Sequence, residues 1–96
     1  MNVSRVTEEV SLFVETNECF WFLDVINSYQ TTKHVNDTPF QVWTFKKNKT
    51  GNGCVVTCED GDKNIVKRQR IPFTDLELKT FTMWLINGTI MFPNEY

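Results

Sequence analysis

The chain has no apolar run near the roughly 20 residues that a membrane-spanning helix needs. It begins Met1-Asn2-Val3-Ser4-Arg5-Val6-Thr7. That opening lacks the basic-then-apolar layout of a secretory leader and predicts a cytoplasmic protein. Cysteine is scarce. Cys19, Cys54 and Cys58 are an odd set, too few for a disulfide framework. Histidine is scarcer still, with His34 alone. Four Asn-x-Ser/Thr triplets, at Asn2, Asn36, Asn48 and Asn87, are read as chance or turn chemistry without a leader. There is no internal repeat, low-complexity tract or linker, so residues 1–96 are read as one domain.

What is present is aromatic and unevenly charged. Eight Phe, three Trp and two Tyr in 96 residues must fill a core or an interface. Residues 1–45 carry two basic and six acidic side chains. Residues 46–70 carry seven basic (Lys46, Lys47, Lys49, Lys63, Lys67, Arg68, Arg70) and three acidic. A chain of net charge −2 therefore has a basic middle.

Periodicity divides the chain into helices followed by strands. Val6, Val10, Phe13 and Val14 fall at helical spacing and predict a helix over about residues 5–15, capped by Ser4. Asn17 reads as the cap of a second helix running to about Tyr29. Its stripe is Phe22, Val25, Ile26 and Tyr29. Apolar over most of its circumference, it reads as the central buried helix. Residues 30–39 read as a loop.

Strands are expected over Phe40–Lys47, Cys54–Cys58, Asn64–Ile71, Lys79–Ile86 and Thr89–Phe92. Residues 73–78 read as an irregular connection or a short edge segment. Asn87-Gly88 is the strongest hairpin signal, because both turn positions need positive φ. The expected fold is α+β. Two N-terminal helices pack on one face of a curled, mostly antiparallel five-stranded sheet.

Five blocks carry a resemblance. They are Phe20-Trp21-Phe22-Leu23-Asp24-Val25-Ile26-Asn27-Ser28-Tyr29-Gln30, Phe40-Gln41-Val42-Trp43, Thr57-Cys58-Glu59-Asp60-Gly61, Arg68-Gln69-Arg70-Ile71-Pro72-Phe73-Thr74-Asp75, and Ile86-Asn87-Gly88 to Met91-Phe92-Pro93. Together the chain resembles a small uncharacterised bacterial and phage family, a domain of unknown function. The resemblance spans residues 20–93. It departs at the front, where family members often have a longer N-terminal region. It implies bacteria or their mobile elements, but no reaction, cofactor or catalytic residue.

Catalytic and metal chemistry finds little footing. His34 reads as a solvated loop histidine. Cys54 and Cys58 share a strand face with Val56 and read as small core residues. They lie roughly 13 Å apart at ~3.3 Å per residue, too far to share one zinc. Asp60-Gly61-Asp62-Lys63-Asn64 fails as a calcium loop, because Ile65 stands where the turn needs Gly and Ile71 where a bidentate Glu belongs. Gly51-Asn52-Gly53 opens a strand rather than a helix, so it makes no phosphate cradle. Asp24, Asp75 and Glu77 are the carboxylates considered for acid–base work. Asp24 reads first as a structural tie from helix to sheet. No catalytic residue, metal or cofactor is assigned.

The binding surface is more legible. The expected partner-contacting residues are Lys46, Lys47, Lys49, Lys67, Arg68, Arg70, Trp43 and Trp84. Strand Phe40–Lys47 is apolar on both faces, Phe40 and Val42 against Trp43 and Phe45. Strand Lys79–Ile86 repeats this, with Phe81, Met83 and Leu85 against Trp84 and Ile86. A Trp-bearing face that nothing covers marks an interface.

The leading expectation is a small non-enzymatic binding protein. It would occupy a surface of a bacterial protein or ribonucleoprotein complex. An anti-defence inhibitor such as an anti-CRISPR is the concrete case, by analogy alone. The alternatives are a nucleic-acid-binding module built on the 46–70 hairpins, and a small enzyme centred on Asp24 or a cysteine. A homodimer is compatible with all three.

Overall fold

The structure is a computed structural model and describes residues 3–96. The elements in chain order are β1 (Arg5–Val6), α1 (Glu8–Thr16), α2 (Phe20–Tyr29), α3 (Lys33–Asn36), β2 (Phe40–Lys47), β3 (Cys54–Glu59), β4 (Ile65–Ile71), β5 (Thr80–Ile86) and β6 (Thr89–Met91). A 3₁₀ turn, Pro93–Glu95, closes the chain. The strands form one open sheet ordered β1-β6-β5-β2-β3-β4. All pairings are antiparallel except β1 with β6.

The fold is therefore α+β as expected, but with a sixth strand, a mixed sheet and a third helix between the first two and β2. The sixth strand comes from residues assigned to a helix. Ser4 and Arg5 give their N–H groups to the Gly88 carbonyl, and Ser4 Oγ bonds to it as well. That contact draws Arg5–Val6 alongside β6. The helix begins later, where Thr7 Oγ1 accepts from Val10 N–H at 3.3 Å. Asn17 closes α1 rather than opening α2. Its Nδ2 donates to the Phe13 carbonyl at 2.9 Å. Glu18, at φ 53°, then turns the chain into α2.

α2 is also less central than its composition implied. Phe22 and Ile26 are buried, while Phe20, Asp24, Asn27 and Ser28 face solvent. The buried stripe lies on the sheet. Phe22 meets Phe81 edge-on, Phe45 stacks on Phe81, and Phe13 of α1 reaches both Phe81 and Phe92. Val10, Val14, Cys19, Val56, Met83, Leu85 and Ile90 complete this core. Strand alternation puts Gln41, Trp43 and Phe45 of β2 on the helix side.

Gln41 is a polar residue in that core, fully buried. Its Oε1 accepts from Trp43 Nε1 and from Gln30 Nε2, both at 2.9 Å. Its Nε2 donates to Gln30 Oε1, the Val35 carbonyl and the Thr38 carbonyl. Gln30 Nε2 also bonds the Ile26 carbonyl. One amide pair thus ties the end of α2, the turn of α3 and the start of β2. No buried side-chain nitrogen or oxygen among the described residues lacks a partner.

Two hairpins follow local chemistry. Asn87 and Gly88 have φ of 50° and 81°, the positive pair that their turn demands. Between β3 and β4, Asp60 organises the loop. Its Oδ1 accepts from the N–H groups of Asp62 and Asn64, and its Oδ2 from Asn64 Nδ2. Gly61, at φ 87°, sits on Phe40 so closely that an added Cβ would stand 2.7 Å from Cδ2 of the ring.

Candidate functional site

The side of the sheet away from the helices is built by the other half of each strand. Register places Lys46 beside Val55, and Val55 beside Arg70. The next row is Thr82, Thr44, Thr57 and Arg68. The third is Met91, Trp84, Val42 and Glu59. This outer face therefore grades from aromatic and aliphatic at one corner to cationic at the opposite one.

The aromatic corner is partly closed. Phe40 meets Trp84 edge-on at 4.9 Å, and Tyr96 meets Trp84 at 5.8 Å. The covers found are the C-terminal turn and the Asp60–Asn64 loop. Glu95 fixes the former, accepting from Phe92 N–H and from Thr7 Oγ1.

The cationic corner is open. Lys46, Asn48, Val55, Thr57, Arg68 and Arg70 line a shallow hollow of about 650 Å³. Arg68, Arg70 and Lys46 are exposed above a floor of Val55 and Thr57. An adjoining hollow of about 570 Å³ is lined by Lys46, Lys47, Lys49 and Lys79, with Glu77 the one acid on its wall. The single salt bridge among the described residues is elsewhere, Lys33 to Asp37 at 3.0 Å on exposed α3. The six cations round these hollows thus carry charge that no carboxylate pairs.

The helix layer has the opposite character. Residues 7–32 hold Glu8, Glu9, Glu15, Glu18 and Asp24 and no Lys or Arg. All five acids are exposed. The acids of α1 and α2 and the unpaired cations of the sheet corner thus lie apart, a separation that helps orient an approaching charged partner.

The eight expected partner-contacting residues separate accordingly. Lys46, Arg68 and Arg70 come together on the outer face, with Lys47 and Lys49 at its rim. Trp84 lies on the same face, half-buried. Lys67 points the other way, its Nζ 5.4 Å from the centre of the Tyr29 ring. Trp43 is removed from the surface. It is 1% exposed, stacked on Tyr29 and bonded to Gln41. Its strand parity, shared with Phe45, places it under the helices. Lys79 and Asn48 join the site unexpectedly. Both are close in sequence to strand ends, and only the β2–β5 pairing brings Lys79 beside the lysines of β2.

The catalytic candidates do not assemble. Asp24 stands in solvent on α2. All three cysteines are free and buried. Burial pushes each thiol up, and Cys58, with Asp60 and Glu59 adding negative charge nearby, reaches about 12. Such thiols stay protonated at neutral pH and are poor nucleophiles. His34 is exposed on α3, with Nε2 3.1 Å from the Val66 carbonyl. No three His, Cys, Asp or Glu among the described residues are grouped to hold a metal. No helix of the described residues is long and apolar enough to cross a membrane.

A separate apolar spot lies beside α2. Trp21, Ile71, Phe73, Thr74 and Asp75 line a hollow of about 330 Å³. Phe73 is 65% exposed there, while Leu76 of the same segment is anchored in the core. No hydrophobic period in the sequence marks Phe73 as a surface residue of this hollow.

No curated protein and no solved structure matches the chain. The match that exists is to a family model, and it runs from residue 1 to residue 96. The chain that builds this charge-graded sheet belongs to a family of unknown function (DUF6876).

Proposed function

We propose that the protein is a non-enzymatic binding module that occupies an acidic surface of a protein or ribonucleoprotein partner through its outer sheet face. One observation carries this reading. Lys46, Arg68 and Arg70 surround one shallow hollow, exposed and unpaired with any carboxylate. Unpaired cations held on a rigid sheet need little reorganisation to meet an anionic surface, so recognition there is inexpensive in entropy. The half-buried Trp84 and Phe40 sit on the same face and extend it with apolar area. The concrete case that small size and such a surface suit is a mobile-element inhibitor of bacterial defence. An anti-CRISPR is one example, an analogy of size and surface chemistry.

Affinity capture from bacterial lysate tests the reading, with nuclease present and absent. The bait is the tagged chain or its K46E/R68E/R70E variant. A stoichiometric protein partner that survives nuclease and is lost by the variant is the expected result. Capture unchanged by charge reversal would refute the assignment of this face.

A second reading is a nucleic-acid module, favoured by the segregation of positive charge to one corner. Burial of Trp43 and Phe45 takes two aromatic side chains near the cations away from base stacking. Partners that vanish with nuclease, and binding that weakens steeply with salt, would select it.

A further inference from the structure

The two edges of the sheet differ in kind. β1 is two residues long, too short to template another chain. β4 runs seven residues and pairs with β3 alone. A strand edge of that length presents backbone donors and acceptors to any extended segment.

Alternation identifies which groups are free. In an antiparallel ladder a residue's N–H and C=O face the same neighbour, and successive residues face opposite ones. Lys47 N–H bonds the Lys79 carbonyl at 2.8 Å. Trp43, Phe45 and Lys47 therefore face β5, while Thr44 and Lys46 face β3. Asn48 N–H, bonded to the Gly53 carbonyl at 2.9 Å, keeps that alternation. Across the register, Val55 and Thr57 answer β2, so Cys54, Val56 and Cys58 answer β4. Their partners are Ile71, Gln69 and Lys67. The backbone N–H and C=O of Arg68 and Arg70 are left on the free edge. Among the described residues no backbone–backbone bond outside the ladder reaches residues 65–71.

The open stretch has defined ends. His34 Nε2 lies against the Val66 carbonyl, where the register shifts and β4 carries one extra residue. Pro72 ends the other side. Between them, Arg68 and Arg70 supply four free backbone groups. Their exposed guanidinium groups also stand on the outer face.

We infer that β4 receives an added strand from the partner, an extended segment with acidic side chains two residues apart, opposite Arg68 and Arg70. The inference rests on the docking face proposed above and names what docks. Main-chain bonds along the edge give affinity, and the two guanidinium groups choose the sequence. The competing explanation is that Lys67, Arg68 and Arg70 only repel other strands from the edge.

The test uses the full chain and three octapeptides: alternating glutamate–valine, alternating lysine–valine, and glutamate–valine N-methylated at alternate residues. The last keeps the charge and loses edge donors. Amide NMR of the protein is the readout. The glutamate peptide should slow exchange of the Arg68 and Arg70 amides at least tenfold. N-methylation should weaken binding at least tenfold, and the lysine peptide should not bind. R68Q/R70Q, exposed changes checked by an otherwise unchanged amide spectrum, should abolish the preference for glutamate over lysine.

Equal binding of the N-methylated peptide overturns strand addition while leaving the docking face. So does bound glutamate peptide without protection at Arg68 and Arg70. Equal binding of the lysine peptide overturns the charge assignment. No binding of the glutamate peptide overturns strand addition and leaves the charges as guards of the edge, while the docking face is decided by the capture with the K46E/R68E/R70E variant. A single-stranded oligothymidylate that displaces the glutamate peptide from these amides overturns the proposal in favour of nucleic acid.

Discussion

The two faces of the sheet use the same strands to opposite ends. The helix side holds Trp43, Phe45, Met83, Leu85, Val56 and Cys58, all buried. The outer side holds Thr44, Thr57, Thr80, Thr82, Lys46, Arg68 and Arg70, with half-buried aromatics confined to one corner. Both faces of β2 and β5 contain large apolar residues, so hydrophobicity alone does not separate them. The difference is made by what packs on each. Three helices pack on one face and bury Val10, Val14, Phe22, Ile26 and Val35 against it. A five-residue loop and a C-terminal turn cover only the corner of the other. The lesson is that a sheet in a chain of fewer than one hundred residues can bury most of one face, and what it leaves open is where charge accumulates.

The sharpest break of that comparison is a pair of tryptophans. Trp43→Ala should cost about 3–5 kcal/mol, since it empties a buried site. Trp84→Ala should cost less than half as much, because the ring is half-buried and packs on two residues at a rim. Urea unfolding of both variants measures the ratio, and equal losses would erase the distinction between faces.

Next comes Gln41→Leu. It matches the apolar surroundings but strands Trp43 Nε1, Gln30 Oε1 and the Thr38 carbonyl, while the Val35 carbonyl keeps the Thr38 N–H. A loss of about 2–3 kcal/mol is expected. Gln30→Leu/Gln41→Leu should not restore it, because Trp43 Nε1 and the Thr38 carbonyl still lack their Gln41 partner.

Gly61→Ala probes the outer cover. Positive φ and the 2.7 Å approach to Phe40 both oppose a Cβ. About 1–2 kcal/mol should be lost, with chemical-shift changes concentrated at Phe40 and Trp84. Shifts spread through the helix side would mean the faces are coupled more tightly than their packing implies.

The smallest effect is at Asp60, in the β3–β4 loop. Its hydrogen bonds from Asn64 and from the N–H of Asp62 hold its carboxyl below the ordinary 3.8. A lowered folded value stabilises above the ordinary pKa, and this contribution fades as pH falls through the lowered one. NMR titration should place the Asp60 midpoint below 3.8. The 60–64 loop should loosen at that pH before the core does. A midpoint at the ordinary value would dissociate the loop from the carboxylate.

Much of this was written locally. β2 matches its expected bounds, Phe40–Lys47, because alternation, flanking turn residues and Pro39 all agree. The Asn87-Gly88 turn was fixed by φ alone. The core role of Cys54, Val56 and Cys58 followed from strand parity. The basic middle was plain from composition, but half of its meaning was not.

The errors share a cause. Ser4 and Thr7 both suit a helix cap, and only the Gly88 carbonyl, more than eighty residues away, takes Ser4 out of the helix. Trp43 and Trp84 are alike in sequence, each on a strand apolar on both faces. Which one is hidden depends on where the helices lie. Lys79 reached the cationic corner through the pairing of β5 with β2, a contact that no local window contains.

The sequence by itself determined five of the six strands, the hairpin turns and the surplus of aromatic side chains, because periodicity and allowed φ act over a few residues. Tertiary structure alone decided which face faces water, which strand is left as an edge, and which cations meet there. Those outcomes depend on the order of strands in the sheet, and that order is set by packing between segments far apart in the chain.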